Sequence, residues 1–176
     1  MTNTWPIGVF STRLIQQLSD AGAISAGRPY DADQIQPASL DLRLGETAFR
    51  VRSSFLPGPG KTVTERIETL KLHEIDLTKG AVLERGCVYI VPLLESLDLP
   101  DAVSASANPK SSTGRLDIFT RVISDAARSF DIVPAGYKGA LYLEISPRTF
   151  PVLVRTGSSR RPSVRSRGRR TLRSGP

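Results

Sequence analysis

Two cations and two hydroxyls are concentrated in one short polar stretch of the chain. Lys110, Ser111, Ser112 and Arg115 fall within six residues that also contain a glycine. Ammonium, guanidinium and hydroxyl groups all donate hydrogen bonds to phosphate oxygens. The stretch therefore favours a site for a phosphorylated ligand, although a plain polar loop would carry the same residue types.

A single carboxylate interrupts an apolar run farther along the chain. The run is Leu-Tyr-Leu-Glu-Ile at residues 141–145, and Glu144 follows Arg115 by twenty-nine residues. A carboxylate held on a rigid strand could take a proton as a general base. Burial would disfavour its charged form unless a cation offset that cost, and Arg115 could be the cation. The alternative is a solvated Glu on an edge strand.

Short strands must position these side chains, because turn residues punctuate the chain throughout. Ser11 suits the N-cap of one short amphipathic helix that ends near Gly22, and residues 57–72 are interpreted as a loop excursion. In the first strand, Asp41 and Arg43 alternate with leucines, which predicts a half-buried strand with one polar face. Apolar patterning predicts strands at 40–44, 49–51, 81–83, 87–92, 94–99, 118–119, 122–123, 130–133, 141–145 and 152–154. This organisation indicates a β-rich barrel or sandwich.

Three segments, in order, resemble the dCTP deaminase branch of the dUTPase-like superfamily. They are Ile-Gln-Pro-Ala-Ser-Leu-Asp-Leu-Arg-Leu-Gly at 35–45, Lys-Ser-Ser-Thr-Gly-Arg at 110–115, and Pro-Ala-Gly-Tyr-Lys-Gly at 134–139 followed by Leu-Tyr-Leu-Glu. The resemblance implies a mainly β fold, a dUTPase-like distorted β-barrel with a short N-terminal helix. Residues 1–157 would form this domain, incomplete at its C-terminal end. A homotrimer with sites shared between subunits is implied as well.

The resemblance also implies hydrolytic deamination of dCTP to dUTP and ammonia, which would supply dUTP for thymidylate synthesis. Carried over by position, Glu144 would activate the water that attacks C4 of cytosine. Arg115 would help to hold that water, and Ser111 would stabilise the site beside the leaving ammonia. Lys110 and Ser112 would contact the triphosphate, which in this family travels with Mg²⁺.

Other positions of the resemblance concern the base and the sugar. Val122 and Ser124 belong to a stretch that would offer backbone groups to the edge of the base. The family has an acidic residue just before its Pro-Gly or Ala-Gly turn, where this chain has Pro134. Asp131, three residues earlier, is the candidate for the sugar contact. Lys110 replaces the usual Arg, which keeps the charge but loses the bidentate fork.

Composition narrows the class of chemistry. A zinc deaminase needs His/Cys/Cys or Cys₃ ligands in Pro-Cys-x-x-Cys and His-x-Glu signatures, whereas this chain has one Cys, Cys87, and one His, His73, without those neighbours. A single cysteine excludes an internal disulfide, so we expect a reducing, cytoplasmic location. No apolar run reaches the length that spans a bilayer. The alternatives to a deaminase are a dUTP diphosphatase of the same fold and an inactive fragment.

The last nineteen residues differ in composition from the rest. Residues 158–176 contain seven Arg and no acid, which accounts for the whole net charge of +7 and leaves residues 1–157 neutral. Such a low-complexity tail predicts disorder, with non-specific binding of nucleic acid through phosphates as its one nucleic-acid role. It stands where the family has a barrel-closing strand, so we also consider it the product of a frameshift.

Overall fold

The computed structural model of the chain describes residues 5–109, 116–158 and 163–168. Fourteen strands and two helices occur in this part of the chain. They are β1 (Gly8–Val9), α1 (Thr12–Asp20), β2 (Ile24–Ala26), β3 (Ile35–Gln36), β4 (Ser39–Asp41), β5 (Thr47–Val51), α2 (Val63–Leu70), β6 (Lys71–Asp76), β7 (Ala81–Leu83), β8 (Val88–Asp98), β9 (Val103–Asn108), β10 (Ile118–Ser124), β11 (Ile132–Val133), β12 (Lys138–Pro147), β13 (Val152–Val154) and β14 (Ser163–Gly168).

Most strands belong to two six-stranded antiparallel sheets. The first has the order β11-β9-β14-β4-β3 with β1 beside β14, and the second has the order β10-β12-β8-β5-β6 with β2 beside β8. The main hydrophobic core draws side chains from both sheets, such as Leu40 and Val103 from the first and Val91 and Leu143 from the second. The prediction of a mainly β fold is confirmed. The described strands pair as separate sheets rather than as one closed barrel.

The predicted N-terminal helix is confirmed as α1. Ser11 precedes it in an extended conformation as the N-cap, and Ile15 and Leu18 are buried. These two residues lie three apart and therefore share one face of the helix, which packs on the main core. Neither helix in the described part of the chain has the length and hydropathy needed to cross a membrane.

The second helix, α2, lies in the stretch that the sequence analysis interpreted as a loop, so that interpretation is wrong for residues 63–70. Its start is fixed by a capping box. The Thr62 hydroxyl accepts a hydrogen bond from the Glu65 amide at 3.2 Å, and the Glu65 carboxylate accepts one from the Thr62 amide at 2.8 Å. Val63 and Ile67 are buried against a second, smaller core on the outer face of the second sheet. The helix thereby covers the face that carries the candidate site.

Removing the cap should weaken this cover. We expect Thr62→Ala to lower the free energy of unfolding by about 1 kcal/mol, because the amide at the helix start loses its acceptor. Thr69→Ala is the matched control, since the Thr69 hydroxyl only bonds back to the Glu65 carbonyl within the helix. Urea unfolding measures both. Equal effects of the two substitutions would contradict the importance of the cap.

A buried ion pair lies beside β4, where the sequence alternates between leucines and charged residues. Arg43, expected on the polar face of a half-buried strand, is buried, and its Nε donates to the Glu95 carboxylate at 2.9 Å. The Arg43 backbone amide donates to the other Glu95 oxygen at 2.6 Å, and Gln34 adds a bond of 2.8 Å. The prediction of a half-buried strand is therefore wrong at this position, because a carboxylate from β8 compensates the burial of Arg43. Asp41 is buried as well.

Arg43 also fastens an irregular segment to the core. Its two terminal nitrogens donate to the backbone carbonyls of Pro29 and Arg28, at 2.6 and 2.8 Å. Its guanidinium also lies 5.8 Å from the centre of the Tyr30 ring. A single buried side chain thus holds the segment between β2 and β3 in place.

Part of the arginine-rich tail is ordered. Residues 163–168 form β14, which lies between β9 and β4 in the first sheet and pairs Ser163 with Asn108 on one side and with Asp41 on the other. The expectation of disorder throughout residues 158–176 is therefore wrong for this strand. Backbone hydrogen bonds to two neighbouring strands stabilise a segment regardless of its polar composition.

Candidate functional site

Glu144 lies in the middle of β12, between β10 and β8. Its cross-strand neighbours are Arg121 on β10 and Ile90 on β8, and its side chain is 2% exposed. Side chains alternate between the faces of a strand, so Glu144 and Arg121 share the face of the sheet that α2 covers. The remaining neighbours on that face are mostly apolar, including Ile123 and Tyr142. A carboxylate is therefore buried where solvent cannot stabilise its charge.

Arg121 is the cation that compensates the charge of Glu144, and it binds only one of the two carboxylate oxygens. Its Nη2 donates to Glu144 Oε1 at 2.6 Å, and its Nε donates to the same oxygen at 3.1 Å. Nη2 also donates to the hydroxyl of Ser54, at 2.7 Å, in the segment that leads from β5 to α2. Glu144 Oε2 is buried and has no hydrogen-bond partner among the described residues. The carboxylate thus has one oxygen bound by a cation and one oxygen available.

Two aromatic rings lie close to the Arg121 guanidinium. The Arg121 guanidinium carbon lies 3.6 Å from the ring centre of Phe130 and 4.7 Å from that of Phe119. Both distances are within the range of a cation–π contact. Two rings, one hydroxyl and one carboxylate therefore fix the position of Arg121.

Asp131 is the last residue of the loop between β10 and β11, and it is hydrogen-bonded to Val122 on β10. Its carboxylate accepts a hydrogen bond from the Val122 amide at 2.7 Å, and its own amide donates to the Val122 carbonyl at 2.9 Å. Asp131 adopts a φ of 62°, a left-handed conformation that Asp tolerates better than most residues. Burial raises the pKa of the Asp131 carboxyl, and the nearby charge of Glu144 adds to the rise, whereas the Val122 amide and Arg121 oppose it.

Replacing Asp131 with Asn should test this environment. Asn can still accept the Val122 hydrogen bond and adopt the left-handed conformation, but it carries no charge. The pKa of the Asp131 carboxyl is raised in the folded protein, so its protonated form stabilises the fold. This stabilisation is complete below the ordinary pKa of 3.8 and is lost as the pH rises through the raised pKa. We therefore expect Asp131→Asn to melt at a higher temperature than the unmodified protein near neutral pH, with a smaller difference near pH 4.

The measurement is a series of thermal melts between pH 4 and pH 7. A difference in melting temperature that does not change with pH would contradict the burial of the charge. A variant that melts lower at every pH would show that the carboxylate makes a contact that Asn cannot replace.

The predicted site residues fall into two groups. Glu144, Val122 and Asp131 lie together, as the preceding contacts describe. Ser124, at the end of β10, is buried, and its hydroxyl has no partner among the described residues. The amide and the carbonyl of Val122 already bond to Asp131, so its carbonyl would serve a ligand through its second lone pair. The predicted residues Lys110, Ser111, Ser112 and Arg115 lie outside the described residues.

Three contributors to the site were missed by the sequence analysis: Arg121, Ser54 and Phe130. One signal for Arg121 was available, because it is the only charged residue in the strand-like run at residues 118–123, just as Glu144 is in its own run. Matching the two required the register between β10 and β12, which the sequence does not show. Ser54 and Phe130 come from separate loops and carried no local signal.

The donor set of the site suits proton transfer. No group of three or more His, Cys, Asp or Glu side chains that could hold a metal ion occurs within residues 5–109 and 116–158. One carboxylate oxygen is available, and Arg121 keeps positive charge close to it. Such a carboxylate is positioned to accept a proton from a molecule that enters the site.

Comparisons with known proteins agree with this arrangement. The family model of the 2'-deoxycytidine 5'-triphosphate deaminase (DCD) N-terminal domain matches residues 6–168. A "dCTP deaminase, dUMP-forming" of Coprothermobacter proteolyticus is 31% identical over 140 residues, which cover 78% of this chain and 70% of the relative. A protein of the same name from Corynebacterium glutamicum is 30% identical over 138 residues, covering 78% of this chain and 69% of the relative.

A solved structure gives the same result. The 2'-deoxycytidine 5'-triphosphate deaminase of Agrobacterium tumefaciens is 59% identical to this chain and superimposes with a TM-score of 0.89. The match covers 92% of this chain and 48% of that protein, so the chain spans about half the length of the solved relative. With a family model that matches nearly its whole described length, this chain belongs to the dCTP deaminase family.

Proposed function

We propose that the chain contributes the catalytic carboxylate for hydrolytic deamination of dCTP. The observation that carries this proposal is Glu144, a buried carboxylate with one oxygen bound to Arg121 and the other without a partner in the described part of the chain. An available carboxylate oxygen in an apolar setting is what a general base for water requires. Membership of the dCTP deaminase family supports cytosine as the reacting base.

In the proposed reaction, Glu144 takes a proton from water while the water oxygen bonds to C4 of cytosine and the electron pair of the C4–N3 double bond moves to N3. Glu144 delivers this proton to N3, then takes the proton of the new C4 hydroxyl and passes it to the amine. The carbon–nitrogen bond breaks with its electron pair going to nitrogen, and ammonia leaves. A carbonyl at C4 remains, which converts the cytosine base to uracil. The positive charge of Arg121 lies beside the carboxylate throughout these proton transfers.

The residues outside the described ranges complete the proposal. Arg115 and Ser111 would act beside the water and the leaving ammonia, and Lys110 and Ser112 would bind the triphosphate. Mg²⁺ would enter with the substrate, bound to its phosphate oxygens. Val122, Ser124 and Asp131 would contact the nucleoside. A homotrimer stays part of the proposal and rests on the family resemblance. A cytoplasmic location stays a prediction from the single cysteine.

The nucleotide product of the proposed reaction is either dUTP or dUMP. The family resemblance implies dUTP as the product, whereas the two relatives from Coprothermobacter and Corynebacterium are named as dUMP-forming. Their names support a second candidate function, in which the uracil nucleotide loses diphosphate after deamination. The dUTP diphosphatase without deaminase activity and the inactive fragment remain the competing alternatives.

One assay separates these functions. The purified chain is incubated with dCTP and Mg²⁺, and both ammonia and diphosphate are measured. Ammonia alone would support the deaminase that stops at dUTP, and equal amounts of both products would support the dUMP-forming reaction. Diphosphate from dUTP without ammonia from dCTP would support the diphosphatase. If neither product forms, the proposed function is wrong for this chain.

A further inference from the structure

Arg121 lies on the edge strand β10, and each of its contacts restricts the movement of its guanidinium group. Its Nε and Nη2 converge on a single oxygen of Glu144, and Nη2 is shared with Ser54. The Phe130 ring lies against the guanidinium at 3.6 Å. An arginine pairs with a carboxylate most strongly in a bidentate arrangement, in which each carboxylate oxygen accepts one hydrogen bond. Here both hydrogen bonds end on the same oxygen, and the other oxygen stays available.

We propose that Arg121 is a positioning residue that selects Glu144 Oε2 as the atom that accepts the proton. This inference rests on the proposed function of Glu144. By binding Oε1 twice, Arg121 fixes the rotation of the carboxylate and directs Oε2 away from the ion pair. Its positive charge also pairs with the negative charge of the buried carboxylate. Arg121 does this without touching the substrate.

Ser54 and Phe130 also contact Arg121 and help to hold it in position. The hydroxyl of Ser54 accepts a second hydrogen bond from Nη2, the nitrogen that also binds Glu144 Oε1, and the Phe130 ring centre lies 3.6 Å from the guanidinium carbon. Ser54 precedes α2, whose residues pack on the same face of the sheet. The segment that covers the site is therefore linked by a hydrogen bond to the cation that orients the base.

The test compares two arginines that lie beside the same aromatic ring. Arg148 lies 6.0 Å from the centre of the Phe119 ring, is exposed, and forms no ion pair with Glu144 in the described part of the chain, so Arg148→Met is the matched control. We expect Arg121→Met to lower kcat for ammonia release by about 10²-fold, the scale of a misplaced reacting group, with KM little changed. Arg148→Met should retain the kcat of the unmodified protein.

Rescue distinguishes positioning from general damage. In Arg121→Ala, guanidinium ion added at a low, non-denaturing concentration should restore part of kcat, because it can occupy the vacated space against Glu144 and Phe130. The same addition should not raise kcat of Arg148→Ala. Loss of kcat without rescue, together with a lowered melting temperature that Arg121→Lys fails to restore, would overturn the positioning role in favour of a purely structural one.

A double-mutant cycle gives a readout that does not depend on activity. Arg121→Met leaves a buried carboxylate without its cation, so adding Glu144→Gln to it should raise the melting temperature again. Additive effects would overturn the coupling between the two residues. If the unmodified protein releases no ammonia, the proposed function fails, and the role of Arg121 fails with it. If it releases ammonia and Arg121→Met retains full kcat, only the role of Arg121 fails.

Discussion

Glu144→Gln is expected to lower kcat for ammonia release by about 10³-fold or more, while the chain still binds dCTP. General acid–base groups contribute about 10²–10⁴-fold, and Glu144 acts in both proton transfers of the proposed reaction. The amide is close in size to the carboxylate and its oxygen can still accept from Arg121. The protein should therefore remain folded, and the loss should appear in kcat.

The measurement pairs steady-state ammonia release with calorimetric titration of dCTP. Glu84→Gln is the matched control, because the Glu84 side chain is exposed and lies far along the chain from β12. Near-normal turnover of Glu144→Gln would remove Glu144 from the catalytic role. Loss of dCTP binding together with turnover would show instead that the carboxylate holds the substrate rather than the proton.

Glu95→Ala is expected to destabilise the fold by about 3–5 kcal/mol, the cost of removing one partner from a buried ion pair. Arg43 is buried in the core region, with its Nε and backbone amide both bonded to Glu95. Without the carboxylate, a charged guanidinium and a backbone donor lose their acceptor. Destabilisation on this scale approaches the whole stability of many domains.

Urea unfolding measures this loss, and two further variants keep the result interpretable. The exposed pair of Arg28 and Glu46 has side chains that are 49% and 59% exposed, so Glu46→Ala should cost no more than about 1 kcal/mol. If Glu95→Ala does not fold, Glu95→Gln keeps one acceptor and should give a measurable intermediate loss. Equal effects of Glu95→Ala and Glu46→Ala would contradict the importance of burial.

The sequence predicted those features that depend on local pattern. Alternating apolar residues identified most of the strands, and Ser11 identified the start of α1. Glu144 could be singled out because a lone charge in an apolar run is conspicuous without knowledge of its neighbours. Its burial, which the structure now gives as nearly complete, follows from the same run.

Features that depend on partners distant in the sequence were missed or misinterpreted. The burial of Arg43 was not predicted, because alternation of residue types cannot show that Glu95 lies opposite it. Arg121 was overlooked because its meeting with Glu144 depends on the register of β10 and β12. The helix α2 was missed despite the Thr62 and Glu65 capping signature, because only two of its residues are buried and its apolar pattern is weak.

The position of β14 has a consequence for the order in which the protein folds. This last described strand pairs with β9, with β4 about 120 residues earlier, and with β1 at the other end of the chain. Contacts between such distant segments form slowly, since the entropy of closing a long loop must be overcome first. Until β14 inserts, β4 and β9 each expose an unpaired edge, which is where chains associate wrongly. During synthesis, therefore, the first sheet must wait for almost the whole described chain before its edges are protected.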